Sequence, residues 1–585
     1  MLTGVSDPAG ATAAGGGLDG SPRQTWRDRR GWLWAAVAAG IALLFYCAQR
    51  EAHQLGAQSD GAGMVLEAWA MLHGNPLLHG WQVSDVSFYT TELPEYLVVE
   101  LFRGLNPDVV RLSAALTYTL LVVLAAAVAY GSRAGDRRTA LVRATITVTV
   151  MIGPTVAAAT VILNDADHTG TAVPVLLALL VLDRARRRWW VPTLLAVVLG
   201  WAMAGDALVA LIGAAPLVVV GGARSFGRLA VRREPLAAAW YELSLAGAGL
   251  GAVVIRTGLN HLIRAAGGFV VSPSATHSTV LSTLLPANAA AAVNNFLTLF
   301  SADVFGDTVN DWLAVTTVHL LFACLVALGL VLALRAIGRD FLGGDLIAQL
   351  LAVAIVINLL AYVLLYPGSG GTVREIAPLF GLGGALAGRV LAAPLLERGL
   401  EPAVAIGAVA ALAVAVPPLV VAKATPPAAA NLAVYLADHD LTDGLAGYWN
   451  ADSVTLDSRG KIVIASVKYH QGYGLAALPW ETQIKLFDSG DSDPDFVVAT
   501  APGSPSAVTP AEAVAAFGEP YRRYAFHGDT IMVWRKNLLT ELRTPPASRL
   551  DRRRSRNGTV IPRVSLGGPR YVAIEAAPLW PPAIF

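Results

Sequence analysis

Ten long apolar runs within the first 423 residues constrain this chain more than any other feature. They are Gly31 to Cys47, Val110 to Tyr130, Leu141 to Leu163, Gly170 to Leu182, Trp189 to Val220, Leu236 to Ile255, Trp312 to Leu334, Leu346 to Tyr366, Ile376 to Leu396 and Ala403 to Ala422. Most approach the ~20 residues that a helix needs to cross about 30 Å of hydrocarbon. In lipid a segment must satisfy its own backbone hydrogen bonds, so Leu-, Val- and Ala-rich runs of this kind are helices. With 55% hydrophobic and only 15% charged residues, the chain reads as a polytopic α-helical membrane protein.

Arginine sets the expected topology. The run from Trp189 to Val220 is too long for one span, and treating it as a hairpin turning at Gly205-Asp206 puts every arginine-rich loop on one side: 133–143, 184–188, 224–233, 335–339 and 389–398. Read as a single span, it would move Arg224, Arg228, Arg232 and Arg233 to the opposite side and break the positive-inside bias. The reading is therefore about 11 transmembrane helices with the N-terminus cytoplasmic. Residues 1–30, rich in Gly, Ala and Ser and then basic, read as a disordered cytoplasmic tail, and 31–423 as the membrane domain. Its outer loops are 49–109, 164–169, 257–311 and 367–375, so the acid-bearing loops share one face.

After Lys423 the composition changes. Thr425-Pro426-Pro427 reads as a linker, and no further spanning run follows. Residues 424–543 read as an extracytoplasmic α/β domain. It has a helix near 429–439, strands at 461–467, 496–500 and 530–534, and a short helix at 510–517 with Thr509 as its N-cap. Residues 544–585, rich in Arg and Pro, read as extended or disordered. The two halves of the membrane region show no internal repeat of the kind many transporters carry.

Composition also excludes function classes. A formal net charge of +1 leaves no basic surface for nucleic acid. Cys47 and Cys324 both lie inside apolar runs, which argues against a disulfide framework or a thiolate metal site.

The polar residues that carry chemistry lie on the outer loops. Asp60 opens an amphipathic segment just after the first span, where free backbone amides and the helix dipole stabilise a carboxylate; a simple helix cap is the competing reading. Glu92 follows in the same loop. Asn164-Asp165-Ala166-Asp167-His168 gathers two carboxylates and an imidazole, a set suited to Mg²⁺ or Mn²⁺ or to holding a substrate hydroxyl, with a polar turn as the competing reading. Arg374 and Glu375 open a late span, where a guanidinium suits a phosphate; snorkelling to the interface is the common alternative, but positive charge is scarce on this face and favours the phosphate reading. Asp206 lies at the hairpin tip, an ionisable group near membrane depth. His261, His277, Asn294, Asn295 and Asp303 are read as structural or solvent-facing, and His319 and Asn358 as contacts between helices. Tyr448-Trp449-Asn450 suits either a sugar-stacking surface or a core.

Taken together, Asp60 followed by Glu67-Ala68-Trp69-Ala70 and the Gly74-Asn75-Pro76 turn, the acidic pair before a later span, Arg374 and the C-terminal module resemble the GT-C superfamily. The similarity is greatest to the protein O-mannosyltransferase and lipid A aminoarabinose transferase group of bacterial enzymes. Gly61 stands where many members have a second acid, and Arg374-Glu375 where an Arg-Tyr pair is familiar. The resemblance implies a plasma-membrane glycosyltransferase. It would move a sugar from a polyprenyl-phosphate donor to an extracytoplasmic glycan, lipid or protein acceptor, with Asp60 as general base. A transporter or flippase, or a non-catalytic envelope scaffold, is the alternative.

Overall fold

The computed structural model describes residues 22–56, 59–132, 135–164, 168–185, 187–272, 282–304, 313–365, 373–421, 423–427, 429–501 and 507–543. Among them, six helices are long and apolar enough to cross a membrane, and a bent pair makes a seventh. Shorter apolar helices at Trp190–Gly205 and Glu401–Val416 accompany them. The chain is a polytopic helical membrane protein with a C-terminal α/β domain.

Each apolar run falls on helix, with instructive differences at the ends. The first helix, Pro22–Ala52, begins inside the stretch expected to be a disordered tail. The run from Leu141 to Leu163 is not one straight span. It divides into Arg137–Met151 and Val156–Ile162, bent by 104°. Gly153 takes a left-handed φ of 66°, which ends the first helix, and Pro154 cannot supply the amide that would continue it. The helix breaks at the expected Gly205-Asp206, since Trp190–Gly205 ends on Asp206 and helix resumes at Ala210. The expected loop 257–311 is largely ordered instead: Leu236–Ala265 extends into it, and Leu285–Leu299 forms a further helix. Alanines and leucines dominate that segment, and they propagate helix where the chain has packing partners.

Two polar joints hold the membrane domain. At one end Arg389 is buried and donates to Asp183 at 2.8 Å, to Asp345 at 2.5 Å and to the Val128 carbonyl at 2.6 Å, tying together four helices. At the other end Arg111 is buried and donates to the Leu55 carbonyl at 3.3 Å and the Thr425 carbonyl at 2.9 Å. That contact fixes the linker to the C-terminal domain against the bundle.

Nine strands occur among the described residues: β1 Trp81–Val83, β2 Val270–Val271, β3 Asp443–Ala446, β4 Val463–His470, β5 Gly474–Ala477, β6 Thr482–Gln483, β7 Phe496–Thr500, β8 Arg522–Phe526 and β9 Asp529–Val533. Six form one sheet in the order β5-β4-β3-β7-β9-β8, with β4, β3 and β7 parallel. Both faces are covered, so the inner strands are apolar throughout rather than alternating. Helices Ala430–Asp438 and Tyr448–Asp457 pack on the face that carries Ile464, Phe496 and Ile531. Helix Pro510–Phe517 covers the face of Val467, Val497 and Met532. It starts with the expected Thr509 cap, reinforced by a reciprocal bond from Glu512.

The remaining strands, in the order β2-β1-β6, join the segment after the first helix, the segment after helix Leu236–Ala265 and the C-terminal domain in one small sheet. Leu456 of that domain inserts among Val65, Trp81, Tyr96 and Phe269 of the loops. The C-terminal domain is therefore packed into the loop layer of the membrane domain.

Candidate active site

The site forms where two helix N-termini meet. Helix Ser59–Leu72 begins just after the first membrane helix and carries Asp60 in its first turn. Helix Tyr448–Asp457 begins after Gly447, and the Ser59 hydroxyl donates to the Tyr448 carbonyl at 2.7 Å. Both helix dipoles thus favour negative charge at the junction.

Asp60 Oδ2 accepts a hydrogen bond from an Arg374 Nη at 3.1 Å, and Oδ1 accepts from the Tyr448 hydroxyl. The Asp60 and Arg374 side chains remain 19% and 28% exposed, so a ligand at this end of the bundle can reach both. Arg374 sits on a short 3₁₀ turn, Val373–Ile376, which leads into the deeply buried helix Leu379–Glu397. Asn358 holds that turn by donating to the Glu375 carbonyl at 3.2 Å.

Behind Asp60 lies a layer of buried acids. Glu67 is two helical turns along and on the same face of the helix, Asp452 comes from the facing helix, and Glu481 follows the β5 hairpin. Burial, with Asp452 close by, pushes the Glu67 carboxyl well above the usual carboxylate range. Asp452 is raised in the same way by burial and by the charge of Asp60. Burial first, then Asp60 and Glu67, raise Glu481. Tyr448, whose hydroxyl also lies 2.7 Å from Glu481 Oε2, is pushed up by burial and by these neighbours.

A second group adjoins the first. Asp206 accepts from His168 Nδ1 at 2.6 Å and from the Thr171 hydroxyl, and Glu92 Oε1 accepts from the Gly170 amide at 2.9 Å. Burial opposes charge on His168, but Asp206, Glu375 and Glu92 outweigh it and bring the imidazole up to about 10. Burial and the Asp206 charge bring Glu92 up to about 7. Arg374 and its neighbour Glu375 therefore link the groups, the first through Asp60 and the second through its charge on His168.

Six of the eight residues expected from sequence, Asp60, Glu92, His168, Asp206, Arg374 and Glu375, gather at one end of the bundle. Asp165 and Asp167 lie outside the described residues. His168 Nδ1 is engaged by Asp206, and among the described residues no group of three or more acid, histidine or cysteine side chains is arranged to hold a metal ion. Of the other polar residues, His261 and Asn294 are exposed, Asn295 donates to the Tyr362 hydroxyl at 2.9 Å, and His277 lies outside the described residues. His319 is buried edge-on to Phe322. Tyr448 is neither a stacking surface nor plain core, because its hydroxyl reaches Asp60.

Sequence reasoning misses Glu67, Asp452 and Glu481 as site residues. Glu67 carried a usable signal, the seven-residue spacing from Asp60 that returns a helix to the same face. Asp452 and Glu481 carried none, because acids are ordinary in a polar domain.

Fold and site together define a polytopic membrane protein with a cluster of acids packed between its helices and a C-terminal α/β domain. No protein-family model and no curated protein sequence matches the chain. Among solved structures, the chain is similar to ArnT from Cupriavidus metallidurans, crystallised bound to undecaprenyl phosphate. The identity is 14% and the TM-score 0.49, with 86% of this chain and 98% of that chain covered.

Proposed function

We propose that the protein is a membrane glycosyltransferase that moves a sugar from a polyprenyl-phosphate donor to an acceptor hydroxyl on the extracytoplasmic side. The acceptor is a cell-envelope glycan, a lipid or a protein. The observation that carries this reading is the Asp60–Arg374 pair: a part-exposed carboxylate and a guanidinium 3.1 Å apart at the mouth of a hydrophobic bundle. The resemblance at Asp60, at Glu67-Ala68-Trp69-Ala70 and at the Gly74-Asn75-Pro76 turn supports the same class.

The chemistry follows from the residue types. Asp60 takes the proton of the acceptor hydroxyl as its oxygen attacks the anomeric carbon. The bond from that carbon to the phosphate oxygen breaks, and polyprenyl phosphate leaves with the electron pair. The leaving group needs positive charge rather than a proton, and Arg374 supplies it. A donor phosphate competes with Asp60 for the guanidinium, so donor binding frees the base at the moment it is needed. One displacement at one carbon inverts its configuration, by analogy with the two-carboxylate logic of glycosidases.

A transporter or flippase places its polar groups near the midplane, whereas Asp60, Glu92, Asp206 and Arg374 collect at one end of the helices. A scaffold has no use for a part-exposed Asp60–Arg374 pair. The deciding experiment replaces the protein in its own cells with Asp60→Asn at equal expression and compares lipid-linked sugars and envelope glycans by mass spectrometry. Accumulation of one polyprenyl-phosphate sugar, with loss of that sugar from a glycan, is expected. Unchanged pools in cells that the variant fully rescues would overturn the assignment.

A further inference from the structure

The Tyr448 hydroxyl has one proton and two carboxyl oxygens within reach, Asp60 Oδ1 and Glu481 Oε2. One proton satisfies one acceptor, so the second contact needs a proton on one of the carboxyls. Asp60 is the carboxyl that is part-exposed and paired with a guanidinium. Glu481 is buried, and the groups facing it are Tyr448 and three acids: Asp60 and Glu67 from one helix and Asp452 from the other. A buried carboxyl among acids keeps its proton. Glu481 therefore donates to the Tyr448 oxygen, and Tyr448 donates to Asp60 Oδ1.

Two features of the chain force Glu481 into this place. Its backbone lies in the left-handed region, at φ 53°, a conformation that a residue with a side chain rarely adopts and that tends to be retained at functional sites. Facing it is Gly63, where an added Cβ would come within 3.0 Å of Glu481 Cβ and Oε2. The first outer helix leaves a gap for this one side chain.

We propose that Glu481 and Tyr448, both supplied by the C-terminal domain, form a proton-filled hydrogen-bond chain that positions the Asp60 carboxylate and leaves Oδ2 free for Arg374 and the acceptor hydroxyl. This rests on Asp60 being the general base. The C-terminal domain then completes the active site, and Glu481 is a positioning residue whose proton must stay in place. When pH rises enough to ionise Glu481, two carboxylates compete for one hydroxyl proton, Asp60 is repelled from its position, and transfer falls. The nearby acids Glu67 and Asp452 make ionisation of Glu481 harder, and the Arg374 charge acts on Asp60.

The test uses full-length protein. Infrared difference spectra in lipid nanodiscs read protonated carboxyls, and transfer is measured in vesicles from cells lacking the protein, which hold the accumulated lipid-linked sugar. At neutral pH Glu481→Gln is expected to remove one protonated-carboxyl band, and Tyr448→Phe to shift it. Tyr448→Phe and Glu481→Ala lower kcat by about 10- to 100-fold, the range for a lost hydrogen bond to a charged group. Glu481→Gln, whose amide still donates, recovers most of that loss and shows no alkaline decline. An unchanged carboxyl spectrum in Glu481→Gln overturns the inference. So do wild-type rates in Tyr448→Phe and Glu481→Ala alongside an inactive Asp60→Asn, a result that leaves the general-base reading standing. If Asp60→Asn itself transfers at the wild-type rate, the general-base reading fails instead, and with it the positioning role.

Discussion

Asp60 and Arg374 lie 314 positions apart in the chain, yet their side chains meet at 3.1 Å where helix Ser59–Leu72 faces the entry to a late, buried helix. Each group is where the other needs it. The guanidinium balances the Asp60 carboxylate, and in the proposed mechanism donor binding turns it to the phosphate.

That sharing predicts non-additive mutants. Arg374→Ala is expected to lower transfer by roughly 100-fold, comparable to losing a preorganised electrostatic contact, while Arg374→Lys keeps the charge and loses less. Combined with Asp60→Asn, Arg374→Ala should cost little more than Asp60→Asn alone, because residues that act as a unit do not contribute independently. Rates in donor-loaded vesicles for the two single variants and the double variant measure the coupling.

Gly63 offers a test of close packing in the same place. An alanine there sets its methyl 3.0 Å from Glu481 Oε2, so Glu481 or the helix must shift. The expected result is a stability loss of about 1–3 kcal/mol, the usual range for overpacking, together with a fall in transfer. Thermal unfolding in detergent and the vesicle assay separate the two effects. Gly63→Ala in a Glu481→Gly background should regain most of the stability, since both the Cβ and the Oε2 that an added methyl would meet are gone.

Much of this arrangement was legible from the residues alone, and the part that was not has a physical reason. Asp60, Asp206 and Arg374 stood out because charge is expensive beside apolar runs, so each needed an explanation. The break at Gly205-Asp206 falls where arginine bias places it, and the Thr509 cap where cap chemistry does. The 104° break at Gly153-Pro154 was readable in those two residues but was hidden by an unbroken apolar run. Asp452 and Glu481 draw no notice because they belong to a polar domain, where a carboxylate is ordinary, and Tyr448 reads as a stacking or core residue rather than as a partner of Asp60. Their place beside Asp60 comes from packing of helix Tyr448–Asp457 against helix Ser59–Leu72, and such packing is a property of surfaces far apart in the chain.

The opposite end of the bundle provides a stability prediction independent of function. Arg389 and Asp183 are both buried and meet at 2.8 Å. Arg389→Met leaves Asp183 as an uncompensated buried charge, and a loss of about 3–5 kcal/mol is expected. Arg389→Met with Asp183→Leu removes both charges and should recover most of it. Thermal unfolding of the purified protein in detergent checks both, and neither result depends on the substrate.

The last prediction concerns pH and the linker joint. Asp457 accepts a hydrogen bond from the Ala429 amide at 3.0 Å. Burial raises its carboxyl from 3.8 to about 6, against the lowering effects of that amide and of Arg111. A carboxyl held higher in the folded state binds protons more tightly there than in the unfolded chain, so its contribution to stability is full below the unfolded value and is lost as pH rises through the folded one. The start of helix Ala430–Asp438 should therefore be tightest near pH 4 and loosen toward about pH 6. Asp457→Asn keeps an acceptor for Ala429 and removes the titration. At neutral pH the variant should protect the backbone amides of 429–438 more strongly than wild type, on the order of tenfold after allowance for partial solvation. Hydrogen exchange of that segment, compared between wild type and variant at each pH, measures the difference, and equal protection across the range would show that Asp457 is not strained by its burial.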